Sequence, residues 1–295
     1  MLNPKVSPLV FPRLLLTGAA GQLGRELRPR LKAYCDVLRV SDQNDLGMAA
    51  VGEEIQTADL ANASDMQTLL KDVNAVVHLG GVSTEQAWAP ILASNIVGMV
   101  NLYEAARLQG TKRIVFASSN HVTGFYRQDE VIDNKMPPKP DGFYGLSKAC
   151  GEDVAELYWA RWGIETVSIR IGSALPAPKD RRMLSTWISL DDLERLVVSA
   201  LTAPSWATPS SLACQTIKLL GGTTRMPNTL ATVRLILRMF LDTKLKHVNR
   251  TSTDMTRQHF SKAVLLSKWH LTVNKRCGAL ILVKARKDLI YSQEY

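Results

Sequence analysis

A tyrosine and a lysine in this chain have types and spacing suited to moving a proton. Tyr144 and Lys148 are four residues apart, so on a helix their side chains share one face, one turn apart. A phenol has a reference pKa of about 10, and an ammonium about 4 Å away favours the phenolate by up to about 4 kcal/mol at an effective dielectric constant of about 20. The pair, read with Ser119 upstream, therefore predicts Tyr144 as a proton acceptor. The same spacing occurs on ordinary solvated helices, so the surrounding sequence decides whether the pair is catalytic.

That context begins with three glycines near the start of the chain. The apolar run Arg13–Thr17 is typical of a buried parallel strand and leads directly into Gly18, Gly21 and Gly24. Residues 22–33 then have the pattern of a helix. A strand, a glycine turn and a helix form a dinucleotide site, because the glycines let the backbone approach a pyrophosphate that the helix N-terminus binds. A turn that serves only helix packing is the alternative.

An acidic residue at the end of the second predicted strand indicates which dinucleotide binds. Asp42 follows the strand Val37–Ser41, where a carboxylate would accept hydrogen bonds from the adenosine ribose. No Arg or Lys occurs from Gln43 to Ile55, so a 2′-phosphate would meet a negative charge without a cation. The sequence therefore favours NAD over NADP.

The elements that must position these residues alternate between strand and helix over the first 200 residues. This alternation predicts an α/β fold, a Rossmann-like doubly wound parallel sheet with a small C-terminal substrate-side appendage. The predicted strands are 13–17, 37–41, 54–58, 75–79, 113–118 and 165–170, and the helices are 22–33, 64–71, 90–109 and 144–162. Ligands of such sheets bind beyond the carboxyl ends of the strands. The glycine turn, Asp42, Asp59, Gly80–Gly81 and Ser118–Ser119 all fall there.

Length and composition are those of an ordinary globular protein. The 295 residues, with 46% hydrophobic and 21% charged side chains, suffice for one large α/β domain with a modest appendage. The four cysteines are scattered without paired spacing, which indicates reduced thiols rather than disulfides or a zinc site, and we expect no metal. Neither a signal peptide nor a membrane span is apparent, so we expect a cytoplasmic protein.

These motifs resemble those of the extended short-chain dehydrogenase/reductase family. The resemblance rests on the three glycines, Asp59–Leu60, His78–Gly81, Asn95, Ser119 and the Tyr144/Lys148 pair. Within the family, the segments 16–25, 77–83, 101–107, 113–121, 171–173 and 182–187 are most similar to uronate dehydrogenases. The resemblance extends from about Arg13 to Pro204. It implies NAD-dependent oxidation at C1 of a hexuronic acid, such as glucuronate or galacturonate, to the aldarolactone.

The resemblance also implies a role for each motif residue. Tyr144 would take the C1 hydroxyl proton, Ser119 would hold the same oxygen, and Lys148 would bind the nicotinamide ribose while lowering the pKa of Tyr144. The cofactor-binding residues would be Gly18, Gly21, Gln22, Leu23, Gly24, Asp42, Asp59, Leu60, Leu79, Gly80, Gly81, Asn95, Tyr144 and Lys148. The substrate-binding residues would be Ser83, Ser119, Asn120, His121, Tyr144, Ser173 and Arg182.

Several of these residues have a structural alternative. Ser173 could be only a loop cap and His121 only a structural histidine, although the surrounding match favours substrate contacts. Arg182 is the residue that matches a carboxylate clamp, because a guanidinium donates two parallel hydrogen bonds; its neighbour Arg181 is the alternative. We interpret His78, in a buried strand, as structural.

Beyond about Pro204 the resemblance ends and the composition changes. Residues 201–295 hold 15 of the 36 Lys and Arg residues but only 4 of the 27 Asp and Glu residues. We therefore divide the chain into an NAD-binding domain with the catalytic residues, 1–204, and an atypical basic segment, 205–295. A shifted reading frame in the gene and a divergent appendage both explain the change. Residues 229–241 are a candidate amphipathic helix, although their apolar residues fit one face imperfectly.

Two functions other than uronate oxidation are alternatives for this sequence. A related NAD-dependent sugar-nucleotide epimerase or dehydratase would use the same Tyr and Ser but need a nucleotide-binding C-terminal domain, for which no motif is present. A non-catalytic NAD-binding regulator would normally lose Tyr144 or Lys148. The basic tail has few aromatic residues and no known motif, so we expect a small-molecule uronic acid as partner, with no nucleic acid and no membrane. A homo-oligomer remains open.

Overall fold

A computed structural model describes residues 11–127, 129–130, 132, 136–181, 183, 186–203, 215–216, 269–274 and 279–284. The chain divides into two compact units, Met1–Pro227 and Asn228–Tyr295. The boundary that we predict after residue 204 stays a prediction, as does the substrate-side position of the C-terminal segment. Among the described residues, no helix has both the length and the apolar character needed to cross a membrane.

A parallel sheet forms the centre of the first unit. Its strands are β1 Phe11–Thr17, β2 Cys35–Ser41, β3 Glu53–Ile55, β4 Ala75–His78, β5 Arg113–Ser119, β6 Glu165–Ile171 and, numbered ninth in chain order, β9 Gln215–Thr216. The spatial order is β3-β2-β1-β4-β5-β6-β9, and every neighbouring pair is parallel. The first six strands have the order of a dinucleotide-binding fold, whose ligand crevice lies where the order reverses, between β1 and β4. The predicted fold class is confirmed.

Helices cover both faces of this sheet. They are α1 Gln22–Leu31, α2 Ala63–Leu69, α3 Trp88–Ile91, α4 Gly98–Gln109, α5 Phe143–Trp162 and α6 Leu190–Thr202, with a π-helical segment at Leu92–Val97 and 3₁₀ turns at Lys32–Tyr34 and Asn120–Thr123. Two short strands, β7 Ser173–Ala174 and β8 Trp187–Ile188, pair beside the sheet.

The core has two layers, one on each side of the sheet. Along β1, Leu14 and Leu16 pack into the layer that contains residues of α1 and α6, whereas Leu15 packs into the layer that contains residues of α2, α4 and α5. Successive side chains of a strand point to opposite faces, so a strand buried on both sides needs a continuous apolar run. That run is the sequence signal from which we predict β1.

The predicted elements match the observed ones, with small differences at their ends. The predicted strand 54–58 is only Glu53–Ile55, because β3 is an edge strand that pairs with β2 alone. The predicted helix 90–109 is interrupted by the π-helical segment Leu92–Val97. The candidate helix 229–241 lies outside the described residues. Within the second unit, strands β10 Trp269–Asn274 and β11 Ala279–Lys284 form an antiparallel pair.

Candidate active site

A cavity of about 790 Å³ opens at the carboxyl ends of the central strands. Its walls include the glycine turn after β1, the end of β2, the segment after β4, the end of β5, the first residues of α5 and the segment after β6. This volume lies in the range of cofactor and ligand sites. The crevice predicted from the strand ends is therefore present.

The glycine turn between β1 and α1 is closely packed backbone. Gly18 has a positive φ of 69°, and a Cβ there would lie 2.7 Å from the backbone N of Gly80. A Cβ on Gly24 would lie 2.1 Å from the carbonyl oxygen of Gly18. Gly21 precedes α1, and no side chain caps this helix end. The unpaired N–H groups of the first turn line the cavity and suit a pyrophosphate, so these residues fit an NAD cofactor.

Asp42 connects the glycine turn to the end of β2. Its Oδ2 accepts a hydrogen bond from the backbone N–H of Ala20 at 3.0 Å, and its Oδ1 accepts from the backbone N–H and the side-chain amide of Asn44 at 2.9 and 3.0 Å. The residue lines the cavity. As predicted from the sequence, a carboxylate at this position can accept hydrogen bonds from the ribose hydroxyls and repels a 2′-phosphate.

We expect Asp42→Ala to weaken NAD binding roughly 10-fold and to relax discrimination against NADP, because the change removes an acceptor and a repulsive charge. Dissociation constants of both cofactors, measured by fluorescence titration, check this. Asp42→Asn is the matched control, since its amide oxygen can still accept from Ala20 while the charge is gone. A wild-type protein that prefers NADP in direct competition would contradict the role of Asp42.

His78 has the structural role predicted for it. Its Nδ1 lies 2.7 Å from the hydroxyl of Thr17, and the N–H of Gly80 donates to that hydroxyl at 3.2 Å. Burial, together with the charge of Lys148, lowers the pKa of His78 to about 3. The neutral imidazole therefore joins β1 to β4 and helps to fix the start of the Gly80–Gly81 segment.

Asn95 lies behind the cavity wall. Its Oδ1 accepts the N–H of Val82 at 2.7 Å, and its Nδ2 donates to the carbonyl of Val82 at 3.0 Å and to the hydroxyl of Ser147 at 2.9 Å. The side chain thereby links the segment after β4 to α5. Its place in the π-helical segment fits this function, because such insertions re-aim side chains at functional sites. Direct cofactor contact by Asn95 stays a prediction.

Ser119, Tyr144 and Lys148 lie together on the cavity wall, as the sequence predicts. Ser119 ends β5, Tyr144 is in the first turn of α5, and Lys148 is one turn further along the helix. The Nζ of Lys148 lies 4.9 Å from the ring centre of Phe116 and 5.7 Å from that of Tyr144. Lys148 is buried, with 5% of its surface exposed.

Burial dominates the electrostatics of this group. Burial raises the pKa of Tyr144, and the hydrogen bond with Ser119 opposes that rise. Burial also lowers the pKa of Lys148 to about 8. The net shift of the Tyr144 pKa is upward because the desolvation of the phenol dominates. The lowering of this pKa by Lys148 stays a prediction. Ser119 favours the phenolate.

The remaining assigned residues fall into three groups. Most line the cavity, namely Gly18, Gly21, Gln22, Leu23, Gly24, Leu60, Leu79, Gly80, Gly81, Ser83, Asn120, His121 and Ser173. Asp59 is not in the wall; its Oδ1 accepts the N–H of Ala61 at 2.9 Å, and its role toward the cofactor stays a prediction. Arg182 lies outside the described residues.

Glu85, which no sequence motif predicted as a site residue, caps the helix that carries Tyr144. The Oε1 of Glu85 accepts the N–H of Phe143 at 3.0 Å, and its Oε2 accepts the N–H of Tyr144 at 2.9 Å. The first turn of α5 has no acidic residue, and Gly142 before it supplies no side-chain cap. The missing cap was the available sequence signal, because the N–H groups at a helix N-terminus favour a carboxylate as hydrogen-bond acceptor. The acceptor, 58 positions upstream, could not be identified from that signal.

An ion pair beneath the site was also missed. The Nε and Nη2 atoms of Arg170 on β6 donate to the two carboxylate oxygens of Glu152 on α5, at 2.8 and 2.7 Å. The hydroxyl of Ser118 donates to Oε1 of the same carboxylate at 2.5 Å. Glu152 is one turn after Lys148, so this pair ties the catalytic helix to β5 and β6.

Comparisons with known proteins agree with the geometry. The model of the NAD dependent epimerase/dehydratase family matches residues 14–201. A uronate dehydrogenase of Pseudomonas putida is 57% identical over 66% of this chain and 73% of its own length. A uronate dehydrogenase of Agrobacterium fabrum is 47% identical over 67% of this chain and 74% of its own length. The crystal structure of a mutant uronate dehydrogenase from Agrobacterium tumefaciens, complexed with NAD, superposes with a TM-score of 0.69 at 39% identity, over 83% of this chain and 91% of its own.

Proposed function

The chain belongs to the NAD dependent epimerase/dehydratase family, and from that premise we propose that it is a uronate dehydrogenase. It oxidises C1 of a hexuronic acid such as glucuronate or galacturonate to the aldarolactone. The predicted fold, family and NAD cofactor are confirmed, and relatives 47–57% identical carry the predicted activity in their names. The observation that carries the proposal is the meeting of Ser119, Tyr144 and Lys148 on the wall of one cavity with the glycine turn.

The residues at the cofactor end of the cavity position NAD. The N–H groups at the start of α1 bind the pyrophosphate, and Asp42 accepts the adenosine ribose hydroxyls. Lys148, on the same wall as Tyr144, donates to the nicotinamide ribose. Bound NAD supplies the hydride acceptor for the reaction.

The residues at the other end act on the sugar. Tyr144 accepts the proton of the C1 hydroxyl, and the hydroxyl of Ser119 donates to the same oxygen. Both residues line the same cavity, and Ser119 opposes the rise that burial causes in the pKa of Tyr144. Ser83, Asn120, His121 and Ser173 supply donors and acceptors for the other hydroxyls, and Arg182 binds the carboxylate.

The direct test is an assay of the purified full-length chain with NAD and glucuronate, galacturonate or glucose, followed by NADH absorbance. The proposal expects turnover of at least one uronic acid and poor turnover of glucose, which has no carboxylate for Arg182. Equal turnover of glucose and glucuronate would indicate a neutral-sugar dehydrogenase instead. No reduction of NAD with any of the three sugars would contradict the proposed activity.

We expect Arg182→Lys to lower kcat/KM for uronic acids by roughly 10- to 100-fold, because an ammonium cannot form the two parallel bonds of a guanidinium. Affinity for NAD should not change. Steady-state kinetics with glucuronate and a separate NAD titration measure the two effects. Arg181→Lys is the matched control, and a loss in that variant in place of Arg182→Lys would move the clamp to Arg181.

A further inference from the structure

His121 and Asp141 form a contact at the edge of the cavity that the proposed reaction does not yet use. His121 lies in the 3₁₀ turn directly after β5, and its Nδ1 is 2.9 Å from each carboxylate oxygen of Asp141. An ionised carboxylate can only accept hydrogen bonds, so Nδ1 must carry the hydrogen. In the neutral ring the other nitrogen, Nε2, is then an acceptor.

The carboxylate of Asp141 packs against two glycines. A Cβ on Gly124 would lie 2.2 Å from Cγ and Oδ2 of Asp141, and a Cβ on Gly145 would lie 3.2 Å from its Oδ1. Gly124 has an ordinary helical φ of −65°, so its conformation does not require glycine. The space that its missing side chain leaves holds the carboxylate.

The backbone of His121 is fixed as well. Its N–H donates to the hydroxyl of Ser119 at 3.2 Å. A Cβ on Gly145 would lie 2.5 Å from the carbonyl oxygen of His121, so the turn packs directly on α5. The imidazole meets the ring of Tyr144 edge-on, with 5.6 Å between the ring centres. Both rings line the cavity, so the imidazole of His121 lies beside the proposed base.

We propose that Asp141 is a positioning residue that holds His121 in the Nδ1–H tautomer, so that Nε2 accepts a hydrogen bond from a hydroxyl of the uronic acid. The inference rests on the proposed function for the identity of the donor. A carboxylate has no hydrogen to donate, so this acceptor rejects the carboxylate end of the sugar and selects a hydroxyl. Asp141 thereby contributes to the orientation of the substrate without touching it.

The tautomer can be measured without any substrate. Full-length protein labelled with ¹⁵N-histidine is observed by NMR in alkaline buffer, where free imidazole is neutral, and the signals of His121 among the five histidines are assigned with His121→Gln. The wild type should show a protonated Nδ1 and an unprotonated Nε2. In Asp141→Ala no side chain accepts from Nδ1, so the hydrogen should no longer be held there and should shift towards Nε2. Asp129→Ala removes an exposed aspartate paired with Arg127 and should change neither signal.

Kinetics then test whether the acceptor meets the substrate. Asp141→Ala should raise KM for glucuronate or galacturonate roughly 2- to 10-fold, the value of one neutral hydrogen bond, with kcat changed less than about 2-fold. A reversed tautomer with unchanged KM would overturn the contact with the sugar hydroxyl. A purely structural role of Asp141 would change kcat and protein stability without moving the hydrogen.

The outcomes separate this inference from the proposed function. A wild-type spectrum with an unprotonated Nδ1, or with both nitrogens protonated, would overturn the inference even if Asp141→Ala did not fold. The same tautomer in wild type and Asp141→Ala would overturn it too. The expected tautomers together with no oxidation of any uronic acid would instead contradict the proposed function and leave the assignment of Asp141 intact.

Discussion

We expect Tyr144→Phe to lower kcat by about 10²- to 10⁴-fold, the usual effect of losing a general base. The ring stays in place beside His121, so packing is preserved while the hydroxyl disappears. The NAD dissociation constant should change little, because binding rests mainly on the glycine turn and Asp42. Single-turnover formation of NADH, together with a cofactor titration, gives the two quantities.

A matched control comes from a second tyrosine near the site. Tyr126 donates its hydroxyl to the carbonyl of Pro137 at 2.9 Å and is not in the cavity wall, so Tyr126→Phe should leave kcat close to the wild-type value. If Tyr144→Phe kept more than about a tenth of the wild-type rate, general-base catalysis by Tyr144 would be excluded.

The second large effect concerns stability. Arg170→Met should lower the free energy of unfolding by about 3–5 kcal/mol, because it leaves the carboxylate of Glu152 buried without its cation. The side chains of Arg170 and Glu152 are only 3% and 6% exposed. Urea denaturation followed by circular dichroism measures the change. The same variant should lose activity at temperatures where it is still folded, since the pair holds α5 against β5 and β6.

Two further variants separate the buried charge from the loss of a side chain. Arg170→Met combined with Glu152→Gln should recover part of the lost stability, because the double variant no longer buries an unpaired carboxylate. Arg127→Met breaks the exposed pair with Asp129 and should leave the urea midpoint almost unchanged. An equal loss of stability in Arg127→Met and Arg170→Met would show that burial of the pair is not the cause.

The sequence by itself determined the features that depend on neighbouring residues. The sequence predicts the strand before Gly18, the glycine turn and the helix that follows. Each of them is specified by the residues of its own segment, through their backbone preferences and their pattern of apolar side chains. The Tyr144/Lys148 spacing predicts a shared helix face for the same reason. The order of strands and helices then places Asp42 and Ser119 at one edge of the sheet, as observed.

Only the tertiary structure decided which distant side chains meet. Glu85 caps α5 at Phe143, 58 positions further along the chain. Asp141 contacts His121, which is 20 positions away, and Arg170 pairs with Glu152, which is 18 positions away. None of these pairs follows from periodicity, because each depends on how two separate elements pack. The upward shift of the Tyr144 pKa has the same origin. The sequence places a charged side chain one turn away on the helix, but the loss of water around the phenol depends on all the elements that cover it.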